Sequence, residues 1–164
     1  MRTQMHYAEL DGRTAKGMEA ADIKKFRDLA LLELKRAERY RNFLSLLVLN
    51  LSEFLATAGR RKIDSPQKAH QFISQAINRI KHGARETDII SAIDNSRLAL
   101  LLPETDQKGA AVAAERFREL VSELMSEILE LDYDFRIPLE VTSFPGSPDK
   151  KSLRMRLTDI FAGN

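Results

Sequence analysis

Residues 85–118 read RETDIISAIDNSRLALLLPETDQKGAAVAAERFR, and the fold turns on how this stretch is parsed. Ile89, Ile90 and Ile93 precede Asp94-Asn95-Ser96, and Leu98 to Leu102 follow. Two short apolar runs around turn-forming residues predict a β-hairpin. Pro103 cannot donate to a strand ladder and ends the second run. Thr105 or Asp106 is placed to cap a helix. Beyond it, Ala110, Ala113, Ala114, Phe117, Leu120, Val121, Leu124 and Ile128 recur at intervals of three and four, which gives that helix one apolar face.

Upstream, Ile23, Phe26, Ala30, Leu34 and Ala37 form a helical stripe from Asp22 onward. The apolar run Phe43, Leu44, Leu46, Leu47, Val48 and Leu49 predicts a strand covered on both faces. Ala69, Phe72, Ile73, Ala76, Ile77 and Ile80 mark a second helix, with Pro66 in its first turn and Gly83 as its stop. Downstream, Leu139, Val141 and Ser143 alternate with Glu140 and Thr142 to give a last strand, with Pro138 at its start or on an edge. A short basic helix over Leu153 to Phe161 closes the chain. The order helix, strand, helix, hairpin, helix, strand predicts an α/β (α+β) fold: a ferredoxin-like, mostly antiparallel central sheet flanked by helices. Residues 1–20, interrupted by Gly12 and Gly17, read as an N-terminal linker or extension, and residues 21–164 as one domain.

Composition narrows the function classes. A net charge of +2 argues against a nucleic-acid binder driven by bulk charge, and Arg60-Arg61-Lys62 reads as a solvated loop. With no cysteine, disulfides and thiolate chemistry are excluded, which suits a cytoplasmic protein. No apolar run is long enough to span a bilayer. His6, His70 and His82 share no ligand spacing and are read as surface residues, so no metal site is expected of them.

The stretch quoted above resembles the GGDEF, or diguanylate cyclase, family: an RxxD motif, a strand, the signature hairpin, then LLLPETD and a helix containing AER. FRDLALLELKRAERYRNFLSLLVLN resembles that family's first helix and strand, and the likeness runs from about Lys25 to Phe144. It implies the nucleotide-cyclase palm, a ferredoxin-like core, and a place in bacterial signal transduction. Active members join two GTP molecules across facing domains, with two divalent ions held by carboxylates.

This sequence departs from the pattern where that chemistry resides. The hairpin is Asp94, Asn95, Ser96, Arg97, Leu98; both glycines are gone, and the family's acidic pair falls on Ser96 and Arg97. The metal aspartate ending the first strand falls on Asn50, the next aspartate on Ser52, and the lysine of the same motif on Leu55. The guanine-contacting segment has no counterpart between Glu53 and Lys81, and the family's N-terminal signature is absent. Arg97 also places a fixed positive charge where a metal ligand belongs. The resemblance therefore implies a degenerate domain with no catalytic residues, no metal and no cofactor. Asp94 remains as an isolated acid, read as a turn residue.

The product-binding motif survives in residue type. Arg85 stands nine positions before Asp94, Asp88 follows it, and the arginine of AER is Arg116. These three are the expected cyclic di-GMP contacts. A guanidinium fork suits guanine O6 and N7 or a phosphate, and a carboxylate accepts from guanine N1–H and its amino group. Spacing puts Arg85 and Asp88 in a turn clear of the core, with Arg116 at the border of the helix face. The expected function is an inactive receptor for cyclic di-GMP, signalling through the helix from Asp22 to Arg41 to an upstream sensory or regulatory domain. The alternative is a protein–protein interaction or homodimerisation module in which Arg85, Glu86 and Asp88 are an ordinary charged loop. A working diguanylate cyclase ranks behind both.

Overall fold

A computed structural model describes residues 6–7, 20–132 and 135–162. The strands are β1 (His6–Tyr7), β2 (Leu44–Asn50), β3 (Ile89–Ala92), β4 (Arg97–Pro103) and β5 (Leu139–Phe144). They form one sheet in the order β1-β3-β4-β2-β5. All pairings are antiparallel except β1 with β3. Setting β1 aside, the remaining order is that of a ferredoxin-like βαββαβ unit, with the first strand central and the last on an edge. Most of the segment 1–20 lies outside the described residues. Within it, however, His6 and Tyr7 pair in parallel with Ile89 and Ile90, so part of the expected linker extends the sheet. Such pairing satisfies backbone groups on the open edge of β3, and two residues are too few to show a period.

The helices are α1 (Ala20–Tyr40), α2 (Ser52–Ala56), α3 (Pro66–Gly83), α4 (Gln107–Leu129) and α5 (Leu153–Phe161). They cover both faces of the sheet, which is why β2 lacks alternation. Leu47 and Leu49 face α3 and α4 with Ile90, Leu98 and Leu100, above Phe72, Ile77, Phe117 and Val121. Leu44, Leu46 and Val48 face α1 and α5 with Ile89, Ala99 and Leu101, below Phe26, Leu34, Leu157 and Phe161. The basic C-terminal segment is thus an integral core helix. Ser152 caps it, accepting from the Met155 N–H at 3.2 Å, and Arg154 pairs with Glu38 of α1 at 2.6 Å.

Several local readings are refined. Ser65 caps α3 by accepting from the Lys68 N–H at 3.2 Å, with Pro66 behind it as the first helical residue. Gly83 is the last residue of α3 but not a left-handed cap: the chain leaves the helix through Ala84 in an extended conformation, and a Cβ at Gly83 would lie 2.8 Å from Leu120 Cδ1 of α4. Asp106, not Thr105, caps α4, accepting from the Gly109 N–H at 2.8 Å. His70 is buried rather than a surface residue, because it shares the inward stripe of α3 with Ile73, Ile77 and Ile80. His82 is exposed, and so are Arg60, Arg61 and Lys62. Among the described residues, no helix is long and apolar enough to cross a membrane.

Candidate functional site

The residues singled out by sequence fall at opposite ends of the sheet. The pairing of β2 with β4 sets Asn50 opposite Arg97 at one end and Leu44 opposite Pro103 at the other. Six residue steps at the strand rise separate the two ends by about 20 Å.

At the first end, the hairpin tip is closed on itself. Asp94 Oδ1 accepts from the Ser96 and Arg97 backbone N–H groups at 2.9 and 2.8 Å and from Ser96 Oγ at 3.2 Å. Arg97 Nε donates to Asp94 Oδ2 at 2.8 Å. Asn50 Oδ1 accepts from the Ser52 N–H and Oγ at 2.9 and 2.6 Å, and Ser96 O accepts from the Leu51 N–H at 2.7 Å. Asn50, Ser52, Asp94, Ser96 and Arg97 therefore do converge, as their positions in the sequence imply. What they present is an amide, two hydroxyls, a guanidinium and one carboxylate already engaged. That donor set does not fit a divalent cation bound to a triphosphate, which asks for several carboxylate or carbonyl oxygens. Among the described residues, no three His, Asp or Glu side chains are grouped to hold a metal ion.

Asp94 carries a testable electrostatic signature. Partial burial alone would raise its pKa, but the Ser96 and Arg97 backbone N–H groups and the Arg97 guanidinium outweigh this and hold it below the ordinary value of 3.8. A carboxyl whose folded-state pKa is depressed stabilises the fold above its unfolded pKa and loses that contribution as pH falls through the folded value. The pair is substantially exposed, so Asp94→Ala is expected to cost no more than about 1 kcal/mol at neutral pH. The difference from wild type should shrink well below pH 4. Urea unfolding of both proteins at neutral and strongly acidic pH checks this, and a pH-independent difference would contradict the pairing.

At the other end, β3 begins just after Arg85 and Asp88, and β4 runs out into Thr105. Asp88 is 1% exposed, not clear of the core as the sequence suggested. Its Oδ2 accepts from the Arg85 backbone N–H at 2.8 Å, and its Oδ1 from Arg85 Nη2 at 3.1 Å. The same Nη2 reaches Pro103 O at 2.9 Å and Thr105 Oγ1 at 2.5 Å. Buried carboxylates need such partners, so this local clamp draws Asp88 inward. Asp88 thus positions Arg85, while the Arg85 side chain stays half exposed.

Ser45, fully buried on β2, supports the clamp from below by donating to Thr105 O at 2.8 Å. Arg116, on the exposed border of α4, completes the group. Its guanidinium carbon lies 5.1 Å from the Phe117 ring centre, and among the described residues it has no hydrogen bond or ion pair. Arg85, Asp88 and Arg116 line one open concavity of about 420 Å³ together with Phe43, Thr105 and Val112. The volume falls within the range of small-molecule sites, roughly 300–1,000 Å³. Thr105 was read only as a cap and Phe43 only as strand; neither gave a sequence signal for its place at this rim.

The fold is that of solved diguanylate cyclase structures. The diguanylate cyclase SiaD from Pseudomonas aeruginosa, in complex with its activator SiaC, aligns with a TM-score of 0.59 at 18% identity over 86% of this chain, which spans 55% of that one. A DGC protein from Thermotoga maritima gives 0.54 at 13% identity, covering 96% of this chain and 94% of that one. The GGDEF domain of DgcB from Caulobacter crescentus, in complex with c-di-GMP, gives 0.51 at 19% identity, covering 73% and 69%. The sequence matches no family model and no curated protein. At these identities the comparison establishes the architecture, the α+β palm of GGDEF domains, and leaves the site to be argued from this chain's own residues.

Proposed function

We propose that this domain binds cyclic di-GMP at the Arg85 and Arg116 concavity and does not synthesise it. One observation carries the reading: the Arg85–Asp88 pair and Arg116, from a distant part of the sequence, line a single concavity, and one guanidinium is braced by hydrogen bonds while the other has no hydrogen bond or ion pair among the described residues and only rests on the Phe117 ring. Arg85 is held by Asp88 and Pro103 O, so little rotamer freedom is lost when it meets a guanine edge or a phosphate. Arg116 supplies an anion partner without first breaking an internal bond. Asp88, engaged by Arg85 through both oxygens, acts as a positioning residue and not as an acceptor for guanine.

The loss of synthesis follows from the opposite end of the sheet. With Asn50, Ser96 and Arg97 at the positions where the resembled family carries metal carboxylates, magnesium has no ligand set and the triphosphate no neutralising partner. Calorimetric titration is expected to show micromolar or tighter binding of cyclic di-GMP. Incubation with GTP and magnesium or manganese is expected to yield no cyclic di-GMP. Sustained turnover would overturn the assignment of an inactive domain, and absence of heat on titration would overturn the receptor.

A second reading, as an interaction module, draws on α1, where Leu32 and Tyr40 are exposed by 51% and 61%. Ultracentrifugation with and without cyclic di-GMP separates the two: a dimer indifferent to the ligand favours the interaction module.

A further inference from the structure

The rim of the arginine concavity holds apolar side chains whose exposure the fold does not require. Six large apolar residues are conspicuously exposed among those described, and two of them, Phe43 at 50% and Val112 at 68%, line this one concavity. Phe43 directly precedes β2, and its carbonyl accepts from the Glu104 N–H at 2.8 Å. That bond fixes its backbone beside the end of β4, next to the Arg85 clamp. Phe43 also borders a second concavity of about 310 Å³, at the end of α1, where Tyr40 stands. A phenyl ring left half in water forgoes part of the roughly 1.5–3 kcal/mol that full burial would bring.

We propose that Phe43 is the stacking platform for a purine base of the ligand. This deepens the cyclic di-GMP reading and rests on it. The surroundings decide which occupant the ring suits. An apolar protein surface laid on Phe43 and Val112 would also cover Arg116 and strip its guanidinium of water without an anion in return, which is costly. A purine nucleotide satisfies both demands, with its flat base on the phenyl face and its phosphate or guanine edge at the arginines. Stacking on an aromatic ring is tolerant of base identity, so Phe43 adds affinity while the arginines provide the guanine preference.

The chain contains no tryptophan, so Phe43→Trp installs a single fluorescent reporter on the platform. Wild type, Phe43→Ala and Phe43→Trp are titrated with cyclic di-GMP by calorimetry, and the tryptophan variant also by fluorescence. Circular dichroism melts check the fold, which a half-exposed ring leaves intact on truncation. Phe43→Ala is expected to weaken binding by about 5- to 100-fold. Phe43→Trp should retain affinity, with its emission quenched in step with binding. If wild type binds and Phe43→Ala binds within about twofold of it, the platform is wrong and the receptor reading stands. Unchanged tryptophan emission at saturation likewise removes the platform alone. Failure of wild type to bind removes both.

Discussion

Arg85→Ala is expected to abolish measurable uptake of cyclic di-GMP and to lower the unfolding free energy by about 2 kcal/mol, while Arg116→Ala is expected to abolish or severely weaken uptake with stability unchanged. The two losses have different physical sources. Arg85 Nη2 shares its two N–H groups among Asp88, Pro103 O and Thr105 Oγ1, and so ties the loop before β3 to the end of β4. Without it, Asp88 keeps only the backbone N–H of residue 85 and remains a buried charge with half its partners. Leaving a buried acceptor short of a donor costs about 1–3 kcal/mol, moderated here because truncation of a half-exposed side chain admits water. Arg116 makes no hydrogen bond or ion pair among the described residues, only a contact with the Phe117 ring, so its removal deletes charge at the rim and little from the fold. Urea unfolding and calorimetry on both variants read these effects apart. An Arg85→Ala protein that binds as wild type does would show that the ligand, if any, sits elsewhere.

The parts of this architecture that were legible in the sequence are those in which burial imposes a period. The face of α4 from Ala110 to Leu124 and the stripe of α3 from Phe72 to Ile80 repeat at helical spacing because one side meets the sheet. The run from Leu44 to Leu49 is apolar on both faces, but for the buried Ser45, because helices cover both sides of β2. Asp94-Asn95-Ser96 marked the hairpin because the Asp94 side chain closes the turn itself.

What escaped the sequence has no period. β1 is two residues long, and α2 is a five-residue helix that begins at Ser52 without a side-chain cap. Asp88 looked like a loop acid because its burial depends on the Arg85 clamp and on Pro103 and Thr105, distant in sequence. Phe43 looked like the first residue of a buried strand, and only its place at the sheet's end leaves the ring in water. The candidate trio was visible through resemblance alone; that it surrounds one concavity is a fact of the fold.

The largest loss of stability is expected from Phe117→Ala, and it should carry the binding site with it. Phe117 is fully buried in the core between the sheet and α4, and its chain neighbour Arg116 rests a guanidinium against the ring. Truncation of a buried phenylalanine removes its transfer free energy and leaves a cavity that surrounding atoms fill only in part, at a cost of about 3–5 kcal/mol. For a chain of this size each kcal/mol shifts the melting temperature by roughly 2–4 °C, so a fall of about 6–20 °C is expected. Phe117→Leu keeps most of the volume and should lose less than half as much. Because the ring anchors the turn of α4 that presents Arg116, affinity for cyclic di-GMP should fall in Phe117→Ala even at temperatures where the protein remains folded, and recover in Phe117→Leu. Calorimetric melts of the two variants, followed by titration well below both transitions, test the coupling. A Phe117→Ala protein that melts like wild type would place the ring outside the core, and one that melts early but binds normally would mean that α4 is held in place by its other apolar contacts alone.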